Sequence, residues 1–216
     1  SELILAGGAE SMSHAPLLWK EAMVAWLGEL NMAKGLGSKL KAVSRLKPRY
    51  LSPIIGLLRG LRDPVTGLNM GQTAEKIAHR FGITREQMDD YAVASHLRLA
   101  KAQQEGWLEE IEPLFHTSGK AFEIDDGVRP DSSREKLARL KPAFDRKFGN
   151  VTAGNSAQIT DGAAWVILAS EEAVKKHNLS VIGKIIDTQW AGVDPSEMGL
   201  GPVHAVVPLL QRNDLK

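Results

Sequence analysis

Cysteine is absent from all 216 residues, which excludes disulfide staples, thiolate metal sites and a cysteine nucleophile within this chain. Long apolar runs are missing as well. None approaches the about eighteen uninterrupted residues of a membrane-spanning helix, and the opening SELILAGGAES has no basic segment leading into a signal-peptide core. A soluble globular protein in the cytoplasm is the expectation. The six histidines, His14, His79, His96, His116, His177 and His204, form neither H-x-x-x-H nor H-E-x-x-H, so no metal site is expected. Charge of one sign is lacking overall, with 27 basic against 26 acidic residues and a net charge of +1. That balance gives no reason to expect nucleic acid as a partner.

One stretch departs from the average. Between Leu30 and Arg62 there is no acid, against Lys34, Lys39, Lys41, Arg45, Lys47, Arg49, Arg59 and Arg62. Two readings stay open: a solvated helical face lying over apolar neighbours, or attraction to an anion, whether a nucleotide phosphate, an acidic partner or a membrane surface met through the adjoining LSPIIGLL.

What is present reads as α/β. Glu2 to Ala6 is strand-like and runs into a Gly7-Gly8 turn, and AAWVIL at 163–168 is apolar without interruption, as in a strand covered on both faces of a mixed or parallel sheet. Ala74, Ile77, Ala78 and Phe81 share one face of a helix from Thr73 that Gly82 stops. Thr84 and Gln87 make a capping-box pattern for a second helix, with Met88, Tyr91, Ala92, Leu99 and Ala102 on a stripe. The two helices are expected to pack on each other. A third short helix fits Ser133 to Leu140. Ser170 caps another, with Glu171 and Glu172 at its start and Lys175 and Lys176 at its end. VIGKII within 181–193 returns to strand character, and Gly201-Pro202 opens an apolar helix over Val203 to Leu210, with His204 as a helix-start residue.

No single glycine cluster is specific, since neither G-x-G-x-x-G nor a phosphate loop occurs. The ordered set is more telling: AGGAESMS at 6–13, NMGQTAE at 69–75, ITREQMDDYA at 83–92, LKPAFD at 140–145, VTAGNSAQITDGAA at 151–164 and GVDPSEMGLGPV at 192–203. In order and spacing, over nearly the whole chain, it resembles the thiolase family. LRDPVTGLNMGQTAE and the basic insert are more similar to the bacterial β-oxidation 3-ketoacyl-CoA thiolases and the β-subunits of trifunctional complexes than to short biosynthetic thiolases.

The resemblance implies a thiolase fold, layered αβαβα, with a largely helical loop domain inserted between sheet strands. On that basis 1–10 ends the N-terminal half, 11–145 is the loop domain, 146–178 completes that half, and 179–216 begins the C-terminal half. It further implies an acyltransferase that cleaves 3-ketoacyl-CoA with coenzyme A, coenzyme A being a substrate and no cofactor being required. The implied partners are acyl-CoA, coenzyme A, a second copy of the full-length chain and a β-oxidation complex subunit. In the family a nucleophilic cysteine lies upstream of the segment matching AGGAESMS, and a second cysteine and a histidine lie beyond GVDPSEMGLGPV. The chain starts without Met and stops at QRNDLK, so it is expected to be an internal stretch with no catalytic residue of its own.

The binding residues are expected to be here. By resemblance Met70 lies along the acyl or pantetheine channel, Arg129 near the adenine nucleotide, Phe144 as an apolar wall, and Ala153 and Ala157 along the pantetheine arm. Asn69 stands where some thiolases have histidine, and Ala157 where the family often has a hydroxyl. Read without those motifs, Met70 and Phe144 are ordinary core side chains and Arg129 an ordinary surface arginine, with Asp125, Asp126 and Asp131 as loop carboxylates able to orient it. A different class of function also stays open: a non-catalytic thiolase-like protein that holds acyl-CoA or scaffolds a complex. A ketoacyl synthase fits the loop-domain motifs less well.

Overall fold

The computed structural model describes residues 2–215. The chain divides into two compact units, one made of the residues up to Asp63 with Ile159–Lys184, the other of Pro64–Gln158 with the residues from Ile185 on.

In the first unit, strand β1 (Leu3–Ser11) pairs along its whole length with a later strand, Asp161–Ala169, here called β6, in antiparallel register from Leu3 opposite Ala169 to Ser11 opposite Asp161. Gly7 sits opposite Trp165 because nothing larger fits: a Cβ there would lie 2.4 Å from the indole. Beyond the last pair the Asp161 carboxylate accepts from the Ser13 amide at 2.9 Å and from its hydroxyl. The parallel or mixed sheet expected for AAWVIL is therefore corrected to an antiparallel ribbon, and its faces are uncovered. Leu5, Trp165 and Ile167 are all exposed. The apolar pattern correctly marked a strand with two apolar faces, but apolarity does not encode strand direction.

After β1 come a two-stranded pair, β2 (Leu17–Leu18) with β3 (Ile54–Ile55), and between them helices α1 (Glu21–Met32) and α2 (Leu36–Ser44). Gly35, at φ 88°, turns the chain from one helix to the next, and the Trp26 indole donates to the Ala42 carbonyl at 2.8 Å. The short helix α3 (Gly56–Gly60) follows β3. The basic residues occupy α2 and the segments around it, and Leu36, Leu40 and Val43 form an exposed apolar row on the same helix.

The second unit is helical. Helix α4 (Met70–Phe81) starts three residues before the expected Thr73, because Asn69 and Gln72 form a reciprocal capping box, and it ends in left-handed Gly82. Helix α5 (Arg85–Gln104) opens on the expected Thr84–Gln87 box. The expected mutual packing of α4 and α5 is not their main contact. α4 packs chiefly on the 3₁₀ segment Pro195–Leu200, and α5 on α6 (Arg134–Ala138). Two residues of that 3₁₀ segment hold α4: Glu197 pairs with Arg80 and, at 3.5 Å, with Lys76, and Ser196 accepts from the Lys76 ammonium. On α5 the expected Met88, Ala92, Leu99 and Ala102 are half-buried, but the covered face is wider than that stripe. Tyr91 is exposed, whereas Asp89 is buried and Arg85, His96 and Gln103 on the same side are half-buried.

Between α5 and α6 a small hairpin pairs β4 (Leu114–Phe115) with β5 (Ala121–Phe122). Helix α7 (Glu171–His177) follows β6 in the first unit, capped by Ser170 as expected, with Ala173 fully buried. Residues 181–194 form no strand, contrary to the reading of VIGKII. A strand requires a ladder partner, and no described segment pairs with it; Ile182, Ile185 and Ile186 are exposed. Helix α8 (Gly201–Arg212) has Pro202 and His204 in its first turn, and its C-terminal end reaches Asp187 through Arg212 at 2.9 Å and Asn213 at 2.8 Å. Among the described residues no helix is long and apolar enough to cross a membrane, and no group of three or more side chains is placed to hold a metal.

The Ser13 bonds hold the Asp161 carboxyl below the usual carboxylate range. A folded-state value below the unfolded one stabilises the fold above the unfolded pKa of about 3.9 and is lost as pH falls through the folded value. Thermal melts in acid should therefore show a loss of stability below about pH 4 that shrinks in Asp161→Asn. An identical acid profile in both proteins would remove this pair from the account.

Candidate functional site

The residues expected to bind ligand all fall in the second unit, and a polar network fixes the loops that carry them. Its centre is Asp89 on α5, only 2% exposed. One carboxylate oxygen accepts from Arg85 Nε at 2.7 Å and the other from Asn155 Nδ2 at 2.9 Å. Arg85 also donates to the carbonyls of Leu137, at 2.6 Å, and Leu140, at 3.2 Å, closing the end of α6. Asn155 Oδ1 accepts from the Thr152 amide at 2.7 Å, so the loop VTAGNSA is pinned from α5 and folded back on itself.

Glu75 on α4 grips the same loop one residue earlier. Its two oxygens accept from the amides of Asn150 and Val151, both at 2.9 Å. Gly149 leaves room for it, since a Cβ there would stand 2.4 Å from the carboxylate. Val151 and Thr152 are buried while Ala153 and Ala157 are exposed. The network thus holds the backbone rigidly and presents two methyl groups outward, next to Gly154, whose Cα packs against Leu137 and Leu140.

Phe144 belongs to the same assembly. Asp145 accepts from the amides of Lys147 and Phe148, which keep its carboxyl below the usual range, and the turn so formed is joined to the loop by Ala143 N–H donating to Val151 O at 2.9 Å. The Phe144 ring lies over Gly71. Met70, the first residue of α4, is therefore next to it in sequence and stands 49% exposed, with Phe144 at 39%. Neither is a core residue here.

Arg129 is exposed, its guanidinium folded towards the carbonyls of Asp126, Gly127 and Val128 at 3.3 to 3.4 Å. The expected carboxylate partners act otherwise. Asp131 is paired with Lys136, which lowers its pKa most, and Asp125 accepts from the Gly127 amide at 2.8 Å. A separate depression of about 310 Å³ on α5, lined by Tyr91, Ser95, Arg98 and Leu99, includes none of the expected residues. Sequence reading missed Glu75, Arg85, Asp89 and Asn155. All four lie inside the quoted motifs, but as charged or amide side chains they offered no periodicity to read.

A family model described as "Thiolase, N-terminal domain" matches residues 1–172. The chain belongs to the thiolase family. It is 39% identical over 218 residues to a 3-ketoacyl-CoA thiolase of Pectobacterium carotovorum subsp. carotovorum (strain PC1), covering 100% of this chain and 49% of that protein. A 3-ketoacyl-CoA thiolase of Yersinia pestis (strain Pestoides F) is 38% identical, with 98% and 48% covered. Among solved structures, human mitochondrial 3-ketoacyl-CoA thiolase in complex with CoA superposes with a TM-score of 0.81 at 34% identity, and Bacillus anthracis acetyl-CoA acetyltransferase with 0.82 at 33%; each match covers 100% of this chain and 50% of the other. The thiolase chain described here thus spans about half the length of the relatives it matches, and its α/β fold is part of the thiolase fold.

Proposed function

We propose that these residues supply the coenzyme A and acyl-binding surface of a longer thiolase, which cleaves 3-ketoacyl-CoA with coenzyme A to acetyl-CoA and a shortened acyl-CoA, or runs the reverse condensation. The observation that carries the reading is exposed Met70, with the exposed Phe144 ring over the adjoining Gly71, together with a loop whose buried anchors turn Ala153, Ser156 and Ala157 outward. Apolar side chains along a channel, small residues where a thin arm must pass, and a cation at the far end suit a thioester with a nucleotide tail. Arg129 would meet the adenine nucleotide.

In such a protein the nucleophilic cysteine attacks the ketone, a carbanion leaves, and a second cysteine protonates it. The residues present here bind and orient, and coenzyme A is a substrate. Residues 11–145 act as the loop domain, with 1–10 and 146–178 belonging to one half of the fold and 179–216 opening the other. A cytoplasmic enzyme that forms homo-oligomers and docks on a β-oxidation partner subunit is the corresponding cellular picture.

The test is thiolysis by the intact protein. Supplied with a 3-ketoacyl-CoA and free coenzyme A, it should release acetyl-CoA, and replacing a cysteine upstream of the β1 segment should abolish turnover while leaving coenzyme A binding intact. Saturable binding with no acetyl-CoA formed would establish the carrier instead.

A further inference from the structure

Arg129 stands on a segment with no regular secondary structure, yet that segment is tied at three points to its neighbours. On α5, His96 Nδ1 accepts from the Arg129 amide at 3.2 Å, and one heptad on, Gln103 Nε2 donates to the Asp125 carbonyl at 3.0 Å. The spacing of seven puts both side chains on one face of the helix. The third tie comes from the other direction: Gln158 Nε2 donates to the Gly127 carbonyl at 2.7 Å. Gly127 must be glycine for this contact, because a Cβ would lie 2.5 Å from Gln158 Oε1. Gln158 directly follows Ala157 on the loop that Asp89 and Glu75 anchor.

We infer that His96, Gln103 and Gln158 are positioning residues that fix Arg129 relative to the Ala153–Ala157 loop, so that the nucleotide end and the pantetheine arm of coenzyme A are recognised at a set separation. The inference rests on the reading of Arg129 as the residue that meets the nucleotide. A ligand with a long flexible arm gains affinity from a second contact only if that contact is already held at the right distance; otherwise ordering the segment consumes the gain. The clamp does that ordering in advance. It also assigns a tautomer: Nδ1 faces a backbone N–H, so His96 accepts there and carries its proton on Nε2. The helix therefore reads the segment's main chain, and the Arg129 guanidinium, turned to the Asp126, Gly127 and Val128 carbonyls at 3.3 to 3.4 Å, would exchange those long contacts for the ligand.

The experiment measures dissociation constants by calorimetry on the intact protein, with coenzyme A and with pantetheine, which lacks the nucleotide. Arg129→Ala is the reference. It and His96→Leu should each weaken coenzyme A about five- to tenfold, the size of one or two lost hydrogen bonds, while leaving pantetheine unchanged. His96→Asn, whose Oδ1 can take the place of Nδ1 as acceptor, should recover most of the loss. Gln158→Met, at an exposed position that places little demand on folding, should repeat the coenzyme A-selective effect. If Arg129→Ala shows the selective loss and neither His96→Leu nor Gln158→Met does, the clamp is overturned and the reading of Arg129 stands. If His96→Leu and Gln158→Met weaken both ligands alike, the contacts are merely structural and the clamp is again overturned. If Arg129→Ala changes neither ligand, the nucleotide reading of Arg129 fails and the clamp fails with it.

Discussion

Replacing Asp89 by alanine should lower the unfolding free energy by about 3 kcal/mol or more, the usual cost of removing one partner from a buried ion pair. Asp89 is 2% exposed and receives both Arg85 and Asn155. Its loss strands a guanidinium that still binds the Leu137 and Leu140 carbonyls but has no counter-charge, and it frees the Asn155 amide that shapes the loop bearing Ala153 and Ala157. Coenzyme A affinity should fall along with stability, because Ala153 and Ala157 ride on that loop. Urea denaturation followed by circular dichroism gives the first number and calorimetry the second. A stability change under about 1 kcal/mol would place Asp89 with ordinary surface pairs and remove it as the organiser of the site.

Gly71→Ala should raise the KM for coenzyme A about tenfold, equivalent to about 1.4 kcal/mol, although alanine is the better helix former by about 1 kcal/mol. The added methyl would lie 2.1 Å from the Phe144 ring. The α4 backbone cannot give that much, so the partly exposed Phe144 ring must swing off the helix and leave its place beside Gly71. Pairing the change with Phe144→Ala separates the causes. In the Phe144→Ala background the methyl meets no ring, so the further substitution should cost almost nothing and the two effects should be strongly non-additive. Simple additivity would show that Gly71 acts through the helix alone.

Local signals in the sequence held for the caps but not for the turn expected at Gly7-Gly8, where both glycines continue β1 opposite Trp165 and Ala164. The Thr84–Gln87 box, the Gly82 stop and the Ser170 cap each involve residues within one turn, and each is found in place. The earlier start of α4 had an equally local signal in Asn69 and Gln72, outweighed by attention to the apolar face that begins at Ala74. The α5 stripe held except at Tyr91, and it covers only part of the buried face. Apolar periodicity locates only the apolar part of a buried face, and here Arg85, Asp89, His96 and Gln103 extend it, satisfied by contacts with residues 22 to 66 positions away. Strand direction in the β1–β6 ribbon and the absence of a ladder at 181–194 depend on which segments lie alongside, which no single segment states. The proposed site residues rest on family motif, since Ala153 and Ala157 have no chemistry that would single them out.

The capping box at the start of α4 has a consequence for what a ligand beside Met70 can encounter. Because Asn69 Oδ1 accepts from the Gln72 amide at 2.9 Å, the orientation of the whole carboxamide is decided by the helix, and its Nδ2 hydrogens are the donors it has to offer. Any group arriving there meets a fixed, neutral donor that neither gains nor loses a proton across the physiological range. A histidine in its place would bring a titrating ring to the same spot. This chain has instead a contact able to favour an oxygen with a free lone pair, such as a thioester carbonyl, equally at every pH at which the helix survives.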